Sequence, residues 1–171
     1  MKHARALSAL LILALLCWLG YAWFFPPDAV LIERRIHRLV ALFPVEKQES
    51  IFVQALRADQ IAEYFSYDVS LDLGDISRSS QEIHSRLELR QTVAAARNRF
   101  SGLRLEIPSL QVKVNEDAQN ADVRMGVLIW QGEDPTPLAE EVRLTLRKEH
   151  GTWLIAVVEG VRETTLPVAA R

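Results

Sequence analysis

From Leu103 onward the apolar residues of this chain recur at every second position, whereas before it they recur at intervals of three and four. Leu103, Leu105 and Ile107 alternate with charged neighbours, the parity slips by one at Pro108-Ser109, and Leu110, Val112 and Val114 resume. Val123, Met125, Val127 and Ile129 alternate up to Trp130, and Val142, Leu144 and Leu146 alternate against Glu141, Arg143, Thr145 and Arg147. Side chains of a strand point to opposite faces in turn, so each stretch reads as a strand with one face to bury. The slip at a proline predicts a bulge or an edge position. Trp153 to Val158 is nearly all apolar, as a strand covered on both faces requires. A polar turn at Asn115–Asn120, a loop at Gly132–Pro137 and a tight turn at His150-Gly151 separate four strands that can form an antiparallel meander.

The preceding segment reads as helices. Pro26-Pro27 ends what comes before, and Asp28 is placed to cap a helix on which Ile32, Ile36, Leu39 and Phe43 share a face, up to Pro44. Arg34, Arg35 and Arg38 occupy its other face. A second helix is predicted from about Glu46 to Phe65, and Asp68 to Leu73 alternates as a short strand closed by Gly74-Asp75. Ser79-Ser80-Gln81-Glu82 has the form of a capping box for a third helix, which carries Leu89, Val93, Ala96 and Phe100 on one stripe and stops at Ser101-Gly102. Helices followed by a run of strands predict an α+β fold, with three helices covering one face of a curved antiparallel sheet. Such packing leaves a cone-shaped hollow where a ligand can sit.

Ahead of all this lies an apolar run, Ala6 to Phe25, twenty residues broken only by Ser8 and Gly20. As a helix it would span about 30 Å, the thickness of a bilayer core. It is read as a transmembrane anchor within segment 1–27, followed by a membrane-proximal helix at 28–45, a domain at 46–162 and a tail at 163–171. Two other readings remain. Lys2 and Arg5 ahead of the run and the small residues of Gly20-Tyr21-Ala22 suit a signal peptide cleaved after Ala22. Cys17, the only cysteine, would be the modified residue of a lipoprotein signal, although Leu16 is large for the position before it. The basic residues ahead of the run favour a cytoplasmic N-terminus with the domain outside the cytoplasm, periplasmic in a bacterium. Arg34, Arg35 and Arg38 on the far side weaken that orientation.

Formal net charge is −2, and past residue 25 there are 18 basic against 22 acidic residues. That balance disfavours nonspecific nucleic-acid binding. His37, His84 and His150 are scattered without the spacing of helical metal ligands, so neither a metal nor a cofactor is expected.

Three stretches together resemble the nuclear transport factor 2-like superfamily, also called SnoaL-like or cystatin-like. These are Ile61-Ala62-Glu63-Tyr64-Phe65-Ser66-Tyr67-Asp68-Val69 entering the first strand, the capped helix start Ser79-Ser80-Gln81-Glu82-Ile83, and Leu144 to Ile155 with its turn and Trp153. The resemblance spans roughly residues 46–160. It implies the same α+β cone, and a family in which isomerases and dehydratases stand beside non-catalytic binding and assembly domains. In ketosteroid-isomerase-like members a carboxylate near the end of the first strand shuttles a proton. Asp72, eight residues after Tyr64, matches that position and is the candidate general base, with a solvated strand face as the alternative. Tyr64, Tyr67, Trp130 and Trp153 are the candidates to line the hollow or to fill it. Arg86, Arg90 and Arg97 fall near one stripe of the third helix, as an anion- or partner-binding surface or a solvated face. The leading expectation is a membrane-anchored, non-enzymatic binding or assembly domain, meeting a protein partner or a second copy through its sheet face. The alternatives are an isomerase or dehydratase using Asp72, and a carrier of hydrophobic ligands.

The topology can be checked directly. Protease added outside intact cells or spheroplasts should digest the domain, and full protection of the domain on the cytoplasmic side would reverse the orientation.

Overall fold

The computed structural model describes residues 26–45, 49–72, 83–99, 102–132 and 135–161. The apolar run, the Ser79–Glu82 motif and the tail at 163–171 lie outside the described residues. Among those residues no helix is long and apolar enough to cross a membrane.

The elements are α1 (Asp28–Val40), α2 (Ile51–Ala62), β1 (Phe65–Asp72), α3 (Arg86–Arg99), β2 (Arg104–Val114), β3 (Asn120–Trp130), β4 (Leu138–Glu149) and β5 (Thr152–Val161). The sheet order is β1-β5-β4-β3-β2. The meander from β2 to β5 is antiparallel throughout. β1, however, runs parallel to β5 and makes the sheet mixed rather than purely antiparallel. Alternation within a strand says which face is buried but nothing of its direction. Three hairpin reversals leave β5 opposed to β2, and β1 lies along β5 at the far edge because α3 carries the chain from that edge to β2.

The local grammar is followed closely in the meander. The register slips between Glu106 and Ser109, where the parity changes. There Ser109 Oγ accepts a hydrogen bond from the Gly126 amide at 3.2 Å. A β-carbon on Gly126 would stand 2.8 Å from that oxygen, so a larger residue there would push the Ser109 hydroxyl out of its place at the bulge. His150 and Gly151 have φ of 49° and 81°, as a two-residue turn between twisted strands demands.

Helix starts differ from the expectation. α1 has Pro27 at its N-cap, and Asp28 sits in the first turn without capping it, since its carboxylate is engaged elsewhere. α3 begins at Arg86, and the expected capping box at Ser79–Glu82 lies outside the described residues. The same S-x-x-E pattern recurs at Ser85-Arg86-Leu87-Glu88. The Glu88 amide donates to Ser85 Oγ at 3.2 Å, and the Glu88 carboxylate accepts from the His84 amide at 3.0 Å.

The core lies between the helices and the inner face of the sheet. Ile32, Ile36 and Leu39 from α1, Ile61 from α2, Leu89 from α3, and Val123, Leu144, Leu146, Trp153 and Ile155 from the sheet form one buried cluster. Within this frame Arg97 is buried, not part of an outer stripe. Its guanidinium donates to the carbonyls of Leu42 (2.9 Å), Phe43 (3.1 Å) and Pro44 (3.3 Å), and pairs with Glu49 at 2.7 Å. The pair staples the end of α3 to the chain between α1 and α2, where backbone carbonyls past the end of α1 need donors. Replacing Arg97 by Met should therefore cost about 3–5 kcal/mol of unfolding free energy in denaturant melts, because Glu49 is left charged and buried. Arg97→Met combined with Glu49→Leu should recover much of that loss.

Candidate functional site

The four aromatic residues expected around a hollow do not converge. Trp153 is 3% exposed, and its indole Nε1 donates to Asp28 at 3.0 Å, so it fills the space under α1. Tyr64 is half-buried beneath the Arg35 guanidinium, 4.6 Å from its ring centre. Tyr67 is 79% exposed on β1. Trp130 ends β3 near the opposite edge of the sheet, with Arg104 4.3 Å over its ring. Among the described residues the cone between helices and sheet is occupied by the aliphatic side chains of the core together with Phe65 and Trp153.

Asp28 closes this arrangement. Its carboxylate accepts from Trp153 and also from Lys148 Nζ, at 2.9 and 3.0 Å. These hydrogen bonds, that of Trp153 foremost, hold the Asp28 carboxyl below the usual carboxylate range. The start of α1 is thereby locked to the β4–β5 hairpin.

Asp72 stands at the exposed end of β1. Its register partner is Glu159, whereas its neighbour Leu71 pairs with inward-facing Val158, so Asp72 lies on the face turned away from the helices. A general base needs a site where its proton affinity is tuned and water is excluded. An exposed strand end next to Glu159 is not such a site. Arg86 reaches back to the Phe65 carbonyl, and Arg90 forms an exposed pair with Asp59 at 3.2 Å. With Arg97 inside, the expected stripe of three is three separate structural contacts. Among the described residues no three His, Cys, Asp or Glu side chains gather as a metal would require.

The concave surfaces lie outside the core. Two adjoining hollows of about 520 and 390 Å³ run along the outer face of the sheet and share Gln111 and Arg124. They follow from strict alternation, because the residues that are not inward on β2, β3, β4 and β5 are all presented together. The registers place Gln111, Arg124, Arg143, Glu159 and Asp72 side by side in one row across all five strands. Two cations thus sit next to each other, followed by two carboxylates. Arg143 and Glu159 face each other as unlike charges, which is favourable across strands, while Arg124 beside Arg143 and Asp72 beside Glu159 are like-charged neighbours, which is not. Further along the same face Asp68 and Glu149 both pair with Arg147, at 2.6 and 2.8 Å. Arg147 holds the Asp68 carboxyl low, and the two acids raise the Arg147 guanidinium. The row was within reach of the sequence, since the parity of Arg124 and Arg143 and the hairpin order define it. What the sequence did not supply was β1 alongside β5.

A SnoaL-like domain family matches residues 30–159. No curated protein matches the chain. Among solved structures, an NTF2-like protein with a cystatin-like fold from Novosphingobium aromaticivorans is similar at 15% identity, covering 92% of each chain with a TM-score of 0.63. A protein of unknown function with a cystatin-like fold from Nostoc punctiforme is 17% identical, over 84% of this chain and 96% of its own, at a TM-score of 0.62. A protein of Novosphingobium aromaticivorans provisionally assigned as a scytalone dehydratase is 18% identical, over 79% and 88%, at 0.56. Likeness at such identities establishes the fold, not the chemistry.

The Asp28 contacts carry a pH dependence of known sign. A carboxyl whose folded pKa is depressed contributes stability above its ordinary value near 3.9 and loses it as pH falls through the lowered folded value. Asp28→Ala should lower unfolding free energy by about 2 kcal/mol at neutral pH. The gap between variant and wild type should stay constant down to about pH 5 and narrow below about pH 4, as read from denaturant melts across pH.

Proposed function

This chain belongs to the SnoaL-like domain family, and from that premise we propose that it is a membrane-anchored, non-enzymatic binding and assembly domain. Its partner surface is the outer face of the sheet, and its partner is a second copy of the chain. The single observation that carries this reading is the division of the molecule into a filled interior and a concave, charged exterior. Small-molecule chemistry and hydrophobic-ligand carriage both need an accessible cone, and Ile32, Ile36, Ile61 and Trp153 occupy it. The fold is shared with proteins such as the provisionally assigned scytalone dehydratase, but the position that the resemblance offers for a base, Asp72, faces away from the cone.

The row of Arg124 and Arg143 beside Glu159 and Asp72 supports a two-fold arrangement. Rotating one sheet face onto another brings the cations of each copy over the carboxylates of its mate. The anchor rests on the apolar run from Ala6 to Phe25, which meets the domain through Pro26-Pro27 with almost no linker. Confinement to a membrane raises the effective concentration of copies and favours such pairing.

The test is sedimentation equilibrium of the full chain in detergent, with crosslinking in native membranes as a companion. Arg143→Glu and Glu159→Arg should each weaken self-association about tenfold or more. Combining them should restore it, because the swapped charges complement again across the two-fold. A wild-type chain that stays monomeric in both measurements, or single reversals that change nothing, would overturn the reading.

A further inference from the structure

The first helix and the β4–β5 turn flank a hollow of about 240 Å³, apart from those on the outer sheet face and bordered by the core residue Trp153. Arg34, Arg35 and Arg38 line one wall, Gly151 and Thr152 the other, and Tyr64 forms part of the floor. We propose that this hollow is a binding site for a phosphate-bearing anion, with the headgroup of an anionic phospholipid as its expected source.

Three cations converge where no carboxylate lines the wall. The nearby Asp28 is already held by Lys148 and Trp153. Arg35 is fixed rather than free. Its guanidinium lies on the Tyr64 ring and donates to the Glu63 carbonyl at 3.1 Å. Its Nε is buried with no hydrogen-bond partner. Three guanidinium groups gathered at one hollow repel one another, and a phosphate is the counter-ion whose oxygens their planar forks fit best. Partial burial, and to a lesser degree the neighbouring Arg38, lower the proton affinity of Arg35 despite the opposing influence of Tyr64 and Glu63. Arg34 and Arg38 are exposed one helical turn apart, free to close over a ligand from the solvent side.

The lipid source follows from the chain's own order. The apolar run ends at Phe25, α1 begins at Asp28, and Arg38 lies ten residues further on. At about 1.5 Å per residue the whole basic wall is within about 15 Å of the start of the helix. That reach is comparable to the headgroup layer plus one screening length of about 10 Å. The lipid assignment thus rests on the membrane anchor proposed above, whereas the anion site itself does not.

The experiment is hydrogen exchange by mass spectrometry on the full chain in nanodiscs of phosphatidylcholine alone, in discs also containing phosphatidylglycerol, and in phosphatidylcholine discs with added inorganic phosphate. Segments 34–38 and 150–153 should exchange roughly tenfold more slowly in the phosphatidylglycerol discs, as for a site at about ten times its Kd. The protection should vanish in the Arg34→Gln/Arg38→Gln variant, which leaves Arg35 on Tyr64 and the core intact. Protection by inorganic phosphate at least as strong as by phosphatidylglycerol would keep the site and overturn the lipid as its source. No protection by either anion, or equal protection in the variant, would overturn the site. Failure of the chain to enter phosphatidylcholine discs would instead refute the anchor, with the phosphate arm still deciding the site.

Discussion

The contact on which the arrangement turns is the carboxylate of Asp28 held between the Trp153 indole and the Lys148 ammonium. It joins residues more than a hundred positions apart and fixes the first turn of α1 against the last hairpin of the sheet. With α1 held there, Ile32 and Ile36 join Trp153, Leu146 and Ile155 in one buried cluster, and the space that this fold class can leave open is filled. A carboxylate with two donors in a partly buried setting is worth more than the cap it would otherwise make, because each charge-assisted bond is shielded from water and the helix start favours negative charge as well. The same choice explains why α1 starts at Pro27 without a side-chain cap.

Filling the cone moves the available chemistry to the surface. An antiparallel meander sorts its residues by parity, and with one face spent on the core, the other must display whatever remains. Here that remainder is polar and ordered by charge, with Arg124 and Arg143 adjacent and Glu159 and Asp72 beyond them. A random solvated face would intersperse signs so that neighbours neutralise each other. Segregation into two like pairs is the feature on which the proposed pairing of two copies rests.

Much of this was legible in the residues. The change of period at Leu103 located the meander, the parity slip at Pro108-Ser109 located its bulge, and His150-Gly151 located the last turn, because each depends on local steric rules. The SnoaL-like resemblance was carried by Ile61–Val69, by Ser79–Ile83 and by Leu144–Ile155, of which only the last lies in the meander. Less was legible wherever distant parts of the chain decide. Asp28 looks like a cap until Trp153 arrives from β5. Arg97 shares a stripe with Arg86 and Arg90, yet it also stands one turn beyond the apolar Val93. Only the carbonyls of Leu42, Phe43 and Pro44 show which neighbour prevails. Two S-x-x-E patterns six residues apart are equally good by sequence, and the described residues show Ser85 accepting from the Glu88 amide at the start of α3. Asp72 matched a catalytic position by spacing, but spacing does not record which face of β1 is turned toward the helices.

The two surfaces are compatible because the sheet separates them. α1 packs on the inner face, so the basic hollow at Arg34, Arg35 and Arg38 opens on the helix side, while the charged row lies on the outer face. An anion held at α1 therefore leaves the row free, and pairing through the row leaves both basic hollows open. In a two-fold pair the hollows would present two copies of the same weak anion site to one membrane, if the pair's geometry lets both reach it. The second contact would then form at the effective concentration set by the first, without any new chemistry. On the proposed anchor, assembly and surface attachment would in that way reinforce one another through geometry alone.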